Sequence, residues 1–180
     1  METSFRGLPL LTAPGQVMTP RPATEQLVAA AAARIGGRPA RVADVGTGSG
    51  AIAVSLADAA PQAEIWASDV SAAAVLLARA NAHRFGVADR VHAVRGDLLD
   101  PLPGELDLIV ANLPYLPRGD ARPELAGEPE QAVYAHGDGL GLYRRLFAEA
   151  QAKLRPDGAV VIQLHRRVFV ADRSILRAAA

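Results

Sequence analysis

The sequence has 180 residues, half of them hydrophobic, with 19 basic and 19 acidic side chains and no cysteine. That suits one domain with a sizeable core and is too short for two comfortable ones. Zero formal charge gives no support to a basic surface made to track phosphates, and the lack of cysteine excludes disulfides and thiolate metal sites.

The first 22 or so residues are rich in Pro, Gly and Thr and read as an irregular lead-in. Leu8 to Leu11 is short and broken by Pro9, so no signal peptide is expected. No apolar run approaches membrane length. An intracellular, cytoplasmic protein is the simplest expectation. A helix is predicted over Thr24 to Ile35, where Leu27, Val28, Ala31 and Ile35 share a face, and Gly36-Gly37 ends it. Arg41 to Val45 reads as a strand, Gly46 to Gly50 as a tight turn, and Ala51 to Ala59 as a helix stopped before Pro61. Glu64 to Ser68 is the next strand. Ser71 caps a long Ala-rich helix reaching about Phe85.

Val91 to Arg95 and Leu106 to Ala111 read as strands, the second with an apolar run suited to burial on both faces. Little regular structure is expected from Leu113 to about Gly137. A helix follows from about Gly139 to Leu154, Pro156-Asp157-Gly158 makes a turn, and Ala159 to Leu164 is the last clear strand. The tail beyond His165 is open, a short helix being one reading. Strands alternating with helices predict an α/β fold: a doubly wound, mostly parallel sheet in one domain over residues 1–180. The four histidines, His83, His92, His136 and His165, show no ligand spacing, and no metal is expected.

Val42-Ala43-Asp44-Val45-Gly46-Thr47-Gly48-Ser49-Gly50 joins a strand to a helix, where doubly wound proteins bind ligands. Glycines there permit positive φ and close approach of a ligand to the backbone. Asp69 ends the next strand, where a carboxylate can accept both hydroxyls of a ribose. Gly46, Gly48 and Ala51 also satisfy a dinucleotide fingerprint, so the turn alone leaves NAD open. The segment resembles class I methyltransferases, in which an acid at Asp44 faces the amino end of the methionine moiety and one at Asp97 meets the adenine amino group. A loop-capping role is the plain alternative for Asp97.

Asn112-Leu113-Pro114-Tyr115 follows the fourth strand of the expected sheet directly. It resembles the Asn-Pro-Pro-Tyr signature of methyltransferases acting on planar nitrogens. Such a nitrogen is a poor nucleophile, because its lone pair is delocalised. It needs alignment with the methyl–sulfonium bond and acceptors for its two hydrogens. The Asn112 side-chain oxygen and the Leu113 carbonyl would be those acceptors, and Tyr115 would stack on the planar group. Leu113 stands where the signature has proline, yet its carbonyl survives, and Pro114 still favours an extended Leu113. The form Asn-Leu-Pro-Tyr also resembles ribosomal RNA adenine dimethyltransferases. A plain turn with a buried Tyr is the structural alternative.

Two further stretches narrow the resemblance: Pro20-Arg21-Pro22-Ala23-Thr24-Glu25, and Glu128-Pro129 with Gly137-Asp138-Gly139-Leu140 and Tyr143. Together with the two loops they resemble, over roughly residues 5 to 164, the release-factor glutamine methyltransferases of the HemK/PrmC type. The resemblance implies a Rossmann-like fold and S-adenosylmethionine held by Asp44, Gly46, Thr47, Gly48, Gly50, Asp69, Val70, Asp97, Leu98 and Asn112. It places the acceptor against Pro20, Arg21, Pro22, Thr24, Asn112, Pro114 and Tyr115, with a slot between Tyr115 and Pro22. Asn112, Leu113, Pro114 and Tyr115 would carry the chemistry. A peptide-chain release factor is the implied partner, with a small activating protein as a possible second.

Several features depart from the family. That family carries an N-terminal helical domain, and in this sequence a short lead-in precedes the first expected helix. Ala23 stands for an acid, Gln163 for a Glu, and His165-Arg166-Arg167 for a glycine-containing continuation. The early end leads us to expect that the last antiparallel hairpin is missing. Two alternatives stay open: an adenine amino methyltransferase on DNA or RNA, and a cofactor-binding protein without turnover.

Overall fold

The computed structural model describes residues 1–120 and 122–178. Its first finding corrects the irregular lead-in. β1 (Glu2–Phe5) and β2 (Leu8–Leu11) pair as an antiparallel hairpin turned by Arg6-Gly7 at φ 50° and 78°. Phe5 and Leu10 drop into the core. Pro9 hid the second strand, but a two-stranded ribbon has free edges, where proline is tolerated.

α1 (Glu25–Ile35), β3 (Ala40–Val45), α2 (Ala51–Ala59), β4 (Ala63–Asp69), α3 (Ala72–Arg84), β5 (Val91–Arg95) and β6 (Leu106–Ala111) lie within a residue or two of their predicted bounds. The stretch after β6 holds more than the sequence suggested. β7 (Leu116–Pro117) pairs in parallel with β8 (Tyr134–Ala135), which follows a single helical turn, α4 (Glu130–Val133). α5 starts later than expected, at Gly141–Lys153, after Asp138 caps the N–H of Leu140 at 3.0 Å.

β9 runs unbroken from Leu154–Leu164, so the predicted turn at Pro156-Asp157-Gly158 is wrong. Those residues form an irregularity instead: the pairing with β6 steps from Leu106↔Leu154 to Leu108↔Ala159. Turn-forming residues here bulge a strand rather than end it. β10 (Arg167–Asp172) then doubles back on β9, and α6 (Arg173–Ala178) follows. An antiparallel edge strand is therefore present where a missing hairpin was expected.

The sheet order is β10-β9-β6-β3-β4-β5, and every pairing except β10–β9 is parallel. Alternation along the strands divides the core. Val42, Ile65, Leu108, Val110 and Val161 pack with α1, α2 and α3 on one face. Ala43, Val45, Ile109, Val160 and Ile162 pack with α5 and α6 on the other. Asn81, fully buried on α3, donates to the carbonyls of Leu11 and Ser49 and accepts the N–H of Leu11 at 2.8 Å. It thereby ties the lead-in hairpin to the glycine-rich turn. Among the described residues, no helix is long and apolar enough to cross a membrane.

Candidate functional site

A cavity of about 320 Å³ opens at the carboxyl ends of β3, β4 and β6. β3 lies between β4 and β6, so the chain reverses its direction of winding here, the usual place for a ligand in such sheets. The cavity wall joins the glycine-rich turn, the ends of β4 and β5, the Asn-Leu-Pro-Tyr loop and the lead-in to α1.

On one side stand Gly46, Thr47, Gly48, Asp69, Val70, Asp97 and Leu98. Gly46 and Gly48 hold φ of 73° and 56°, which glycine adopts without strain. Asp69 braces the turn, accepting the N–H of Gly48 and of Ser71, each at 2.9 Å and on different oxygens. Each oxygen keeps acceptor capacity, the chemistry a vicinal diol needs. Asp97 pairs with Arg145 at 2.8 Å through one oxygen, leaving the other for an amino group. Val70 and Leu98 give this end its apolar walls, Val70 more than half exposed. Leu98 holds φ 44°, and its carbonyl accepts from Ser68 Oγ at 2.7 Å. Carboxylate acceptors between apolar walls suit an adenosine-bearing ligand.

Two predicted cofactor residues lie outside the wall. Gly50 is hidden between helices: a Cβ there would stand 2.9 Å from Ala78 Cα, so its role is close packing of α2 on α3. Asp44 is sealed beneath the turn at 0% exposure. Its Oδ2 accepts from Thr47 Oγ1 at 2.6 Å and from the Ala53 N–H at 3.2 Å, while Oδ1 has no partner. The structure thus gives Asp44 the task of shaping the turn. Burial pushes its pKa up to about 7 against the lowering effect of the Thr47 and Ala53 bonds.

A raised carboxyl pKa means that the folded state holds the proton more tightly than the unfolded one. The stability from this group is full at low pH and is lost as pH rises from its usual range toward 7. Asp44→Asn, neutral throughout, should therefore show a smaller fall in melting temperature between about pH 4 and pH 8 than the parent. Parallel pH profiles for the two proteins would contradict the burial argument.

The other side of the cavity is built around Asn112 to Tyr115. The Asn112 amide donates from Nδ2 to Thr24 Oγ1 at 3.2 Å, which leaves Oδ1 as an acceptor. Leu113 buries its side chain against Gly46 and donates its N–H to Tyr143 Oη at 3.0 Å. The Tyr143 hydroxyl carries one proton, and two carbonyls compete for it: Gln163 at 2.8 Å and Leu113 at 3.1 Å. The Gln163 contact is shorter, so the Leu113 carbonyl keeps acceptor capacity. Burial pushes the Tyr143 pKa up, so the hydroxyl stays protonated. Gln163 in turn donates from Nε2 to the Ala23 carbonyl at 3.0 Å. Tyr115 lines the cavity with its ring edge-on to His165, centroids 4.8 Å apart.

The Pro-Arg-Pro segment meets the later acidic block across more than a hundred residues. Arg21 donates to the Glu124 carbonyl at 2.8 Å and lies 3.8 Å from Glu128, which also accepts the Thr19 N–H at 3.0 Å. Pro20, Arg21 and Thr24 line the cavity, but Pro22 is exposed and does not. The predicted slot between Tyr115 and Pro22 is therefore corrected: Pro20, Arg21 and Ala23 share the cavity wall with Tyr115, and Pro22 does not. Sequence reasoning missed Tyr143, Gln163, Arg122 and Arg166 as site elements. The signal for Tyr143 lay in its place beside Gly137-Asp138-Gly139-Leu140, and that for Gln163 and Arg166 in their departure from the resembled pattern, but nothing local marked Arg122. Among the described residues, no cluster of His, Asp or Glu could hold a metal ion.

Comparison with known proteins finds relatives that match most of the chain. The release factor glutamine methyltransferase of Deinococcus radiodurans is 45% identical over 161 residues, covering 87% of this chain and 57% of that protein. The release factor glutamine methyltransferase of Bordetella pertussis is 44% identical over 169 residues, covering 91% and 62%. The chain thus spans about three-fifths of the length of these curated relatives, which bear the name of the family its motifs resemble. Among solved structures, the ribosomal protein L11 methylase of Lactobacillus delbrueckii subsp. bulgaricus superposes with a TM-score of 0.60 and 26% identity, over 83% of this chain and 63% of its own. A 16S rRNA N2 G1207 methyltransferase of T. thermophilus shares the fold, with a TM-score of 0.65 and 22% identity over 90% of this chain and 40% of its own. The family model described as the methyltransferase small domain matches residues 21–128, more than half of the sequence, and the chain belongs to that family.

Proposed function

We propose that this chain transfers a methyl group from S-adenosylmethionine to the side-chain amide of a glutamine in a peptide-chain release factor. The observation that carries the reading is one cavity holding both halves of the reaction: the braced glycine turn on one wall, the Asn112 and Leu113 acceptors on the other. The curated relatives' name supports the release factor as substrate. When bound, S-adenosylmethionine supplies a methyl group activated by a sulfonium. Asp69 takes the ribose hydroxyls, Asp97 the adenine amino group, and Val70 and Leu98 enclose the base. Asn112 Oδ1 and the Leu113 carbonyl accept the two amide hydrogens and aim the nitrogen lone pair at the methyl carbon. The nitrogen would take the methyl group, the thioether would leave with the C–S electron pair, and the nitrogen would shed one proton to water. No general base is needed before transfer. The domain is read as one catalytic unit.

The decisive experiment is competition at physiological salt with methyl-labelled cofactor. It offers a release factor, its loop variant with the target Gln replaced by Ala, and duplex and single-stranded DNA. Label confined to the intact factor supports the reading. Label in DNA, or equally in the loop variant, overturns it.

The cofactor half has its own test. Asp69→Ala should weaken S-adenosylmethionine binding by about 1.5–3 kcal/mol, the range for hydrogen bonds to a charged group, or roughly ten- to a hundredfold. Calorimetry on both proteins measures it, and equal affinities would remove Asp69 from the ribose site.

A further inference from the structure

The hairpin joining β9 to β10 is turned by His165-Arg166, at φ 47° and 65°. Both are left-handed, and neither is glycine. The other tight hairpin of the chain, β1–β2, puts a glycine at its second turn position, Gly7. A left-handed conformation is strained for a residue with a side chain. Asn, Asp and Gly adopt it most readily, and they are the usual residues of such turns. Strain of this kind persists where the surrounding structure demands it, and it gathers at functional sites.

What the turn achieves is visible at its tip. His165 presents its ring to Tyr115 in an edge-on contact, with centroids 4.8 Å apart and planes at 61°. Arg166 reaches the cavity wall. Tyr115 is fixed from behind as well, because its carbonyl packs tightly on Gly139. Among the described residues, the aromatic partner of the Tyr115 ring is His165.

We propose that His165 is a positioning residue: its ring, delivered by a strained turn, holds Tyr115 at the tilt that the planar acceptor meets. The inference rests on reading Tyr115 as the residue that faces the acceptor.

The test separates fit from stability. His165→Asn removes the ring but suits the left-handed backbone, so its melting temperature should equal or exceed the parent's by up to about 4 °C. Its KM for a release factor should nonetheless rise about two- to tenfold, the loss of one aromatic pair contact. Its kcat at saturating factor and its S-adenosylmethionine affinity should stay near the parent's. His165→Phe restores an aromatic edge and should bring KM back despite equal or lower stability. In the cofactor-bound protein, the Tyr115 ring-proton shifts should move in the Asn variant and return in the Phe variant. That readout needs no acceptor. If the parent transfers no label to the factor while the shifts behave as stated, the function reading fails and the positioning inference stands. Unmoved Tyr115 shifts, a parental KM in the Asn variant, or no recovery with Phe would overturn the inference.

Discussion

Asn112→Ala should lower methyl transfer by two to three orders of magnitude while leaving S-adenosylmethionine affinity nearly unchanged. Asn112 stands at the end of β6, and Nδ2 is committed to Thr24 Oγ1 at 3.2 Å. That bond orients the amide and leaves Oδ1 to accept an N–H from the nitrogen to be methylated. An amide nitrogen gains nucleophilicity when its hydrogens are bonded and its plane is fixed, and that need peaks in the transition state. Removing one preorganised polar partner of this kind costs about 3–4 kcal/mol, on the order of 10²–10³ in kcat. The ground state loses far less, because one modest hydrogen bond to Thr24 is worth about 1 kcal/mol. Single-turnover transfer to a release factor and calorimetry with the cofactor give the two numbers. Turnover within a few fold of the parent would remove Asn112 from the mechanism.

The parts of this molecule that could be read from sequence are those in which local chemistry dictates geometry. The run Leu108, Ile109 and Val110 had to be a strand buried on both faces, and it is the middle of the sheet. Ser71 had to cap a helix, and its Oγ accepts the Ala74 N–H at 3.3 Å. Gly46, Gly48, Asp69 and Asn112, singled out in the sequence, all line the cavity.

What stayed hidden depends on partners distant in sequence. Asn81 looks like any polar residue on an Ala-rich helix, yet it is buried to hold Leu11 and Ser49. Asp44 carries the signature of a ligand contact, but Thr47 and Ala53 draw it beneath the turn. Pro156-Asp157-Gly158 has the composition of a turn, and only its neighbour β6 makes it a bulge. Pro22 sits in the recognised motif and is still exposed, because it opens the short 3-10 turn Pro22–Thr24 before α1 and lies outside the cavity that Arg21 and Ala23 line.

Gly139→Ala should disable transfer more thoroughly than its size suggests, and it should do so from outside the reacting groups. Gly139 holds φ 83°, a conformation that costs alanine about 1–2 kcal/mol. An ideal Cβ there would overlap the Tyr115 carbonyl oxygen and stand 3.0 Å from the Tyr115 carbonyl carbon. Backbone cannot swing aside as a flexible side chain can, so the loop carrying Tyr115 must move. Overpacking of this kind adds about 1–3 kcal/mol, for a total destabilisation of roughly 2–5 kcal/mol. A shift of about 1 Å in a positioning loop costs on the order of a hundredfold in rate. The glycine turn, Asp69 and Asp97 lie on the opposite wall, so cofactor affinity should be retained in whatever fraction is folded. Gly37→Ala provides the control. Gly37 also has positive φ, at 72°, but a Cβ there meets nothing within 4 Å. It should show the strain without the loss of transfer. Denaturant melts, cofactor calorimetry and single-turnover rates on the two variants separate the effects. A Gly139→Ala protein that transfers methyl at the rate of Gly37→Ala would mean that the contact between Gly139 and Tyr115 does not hold the acceptor loop in place.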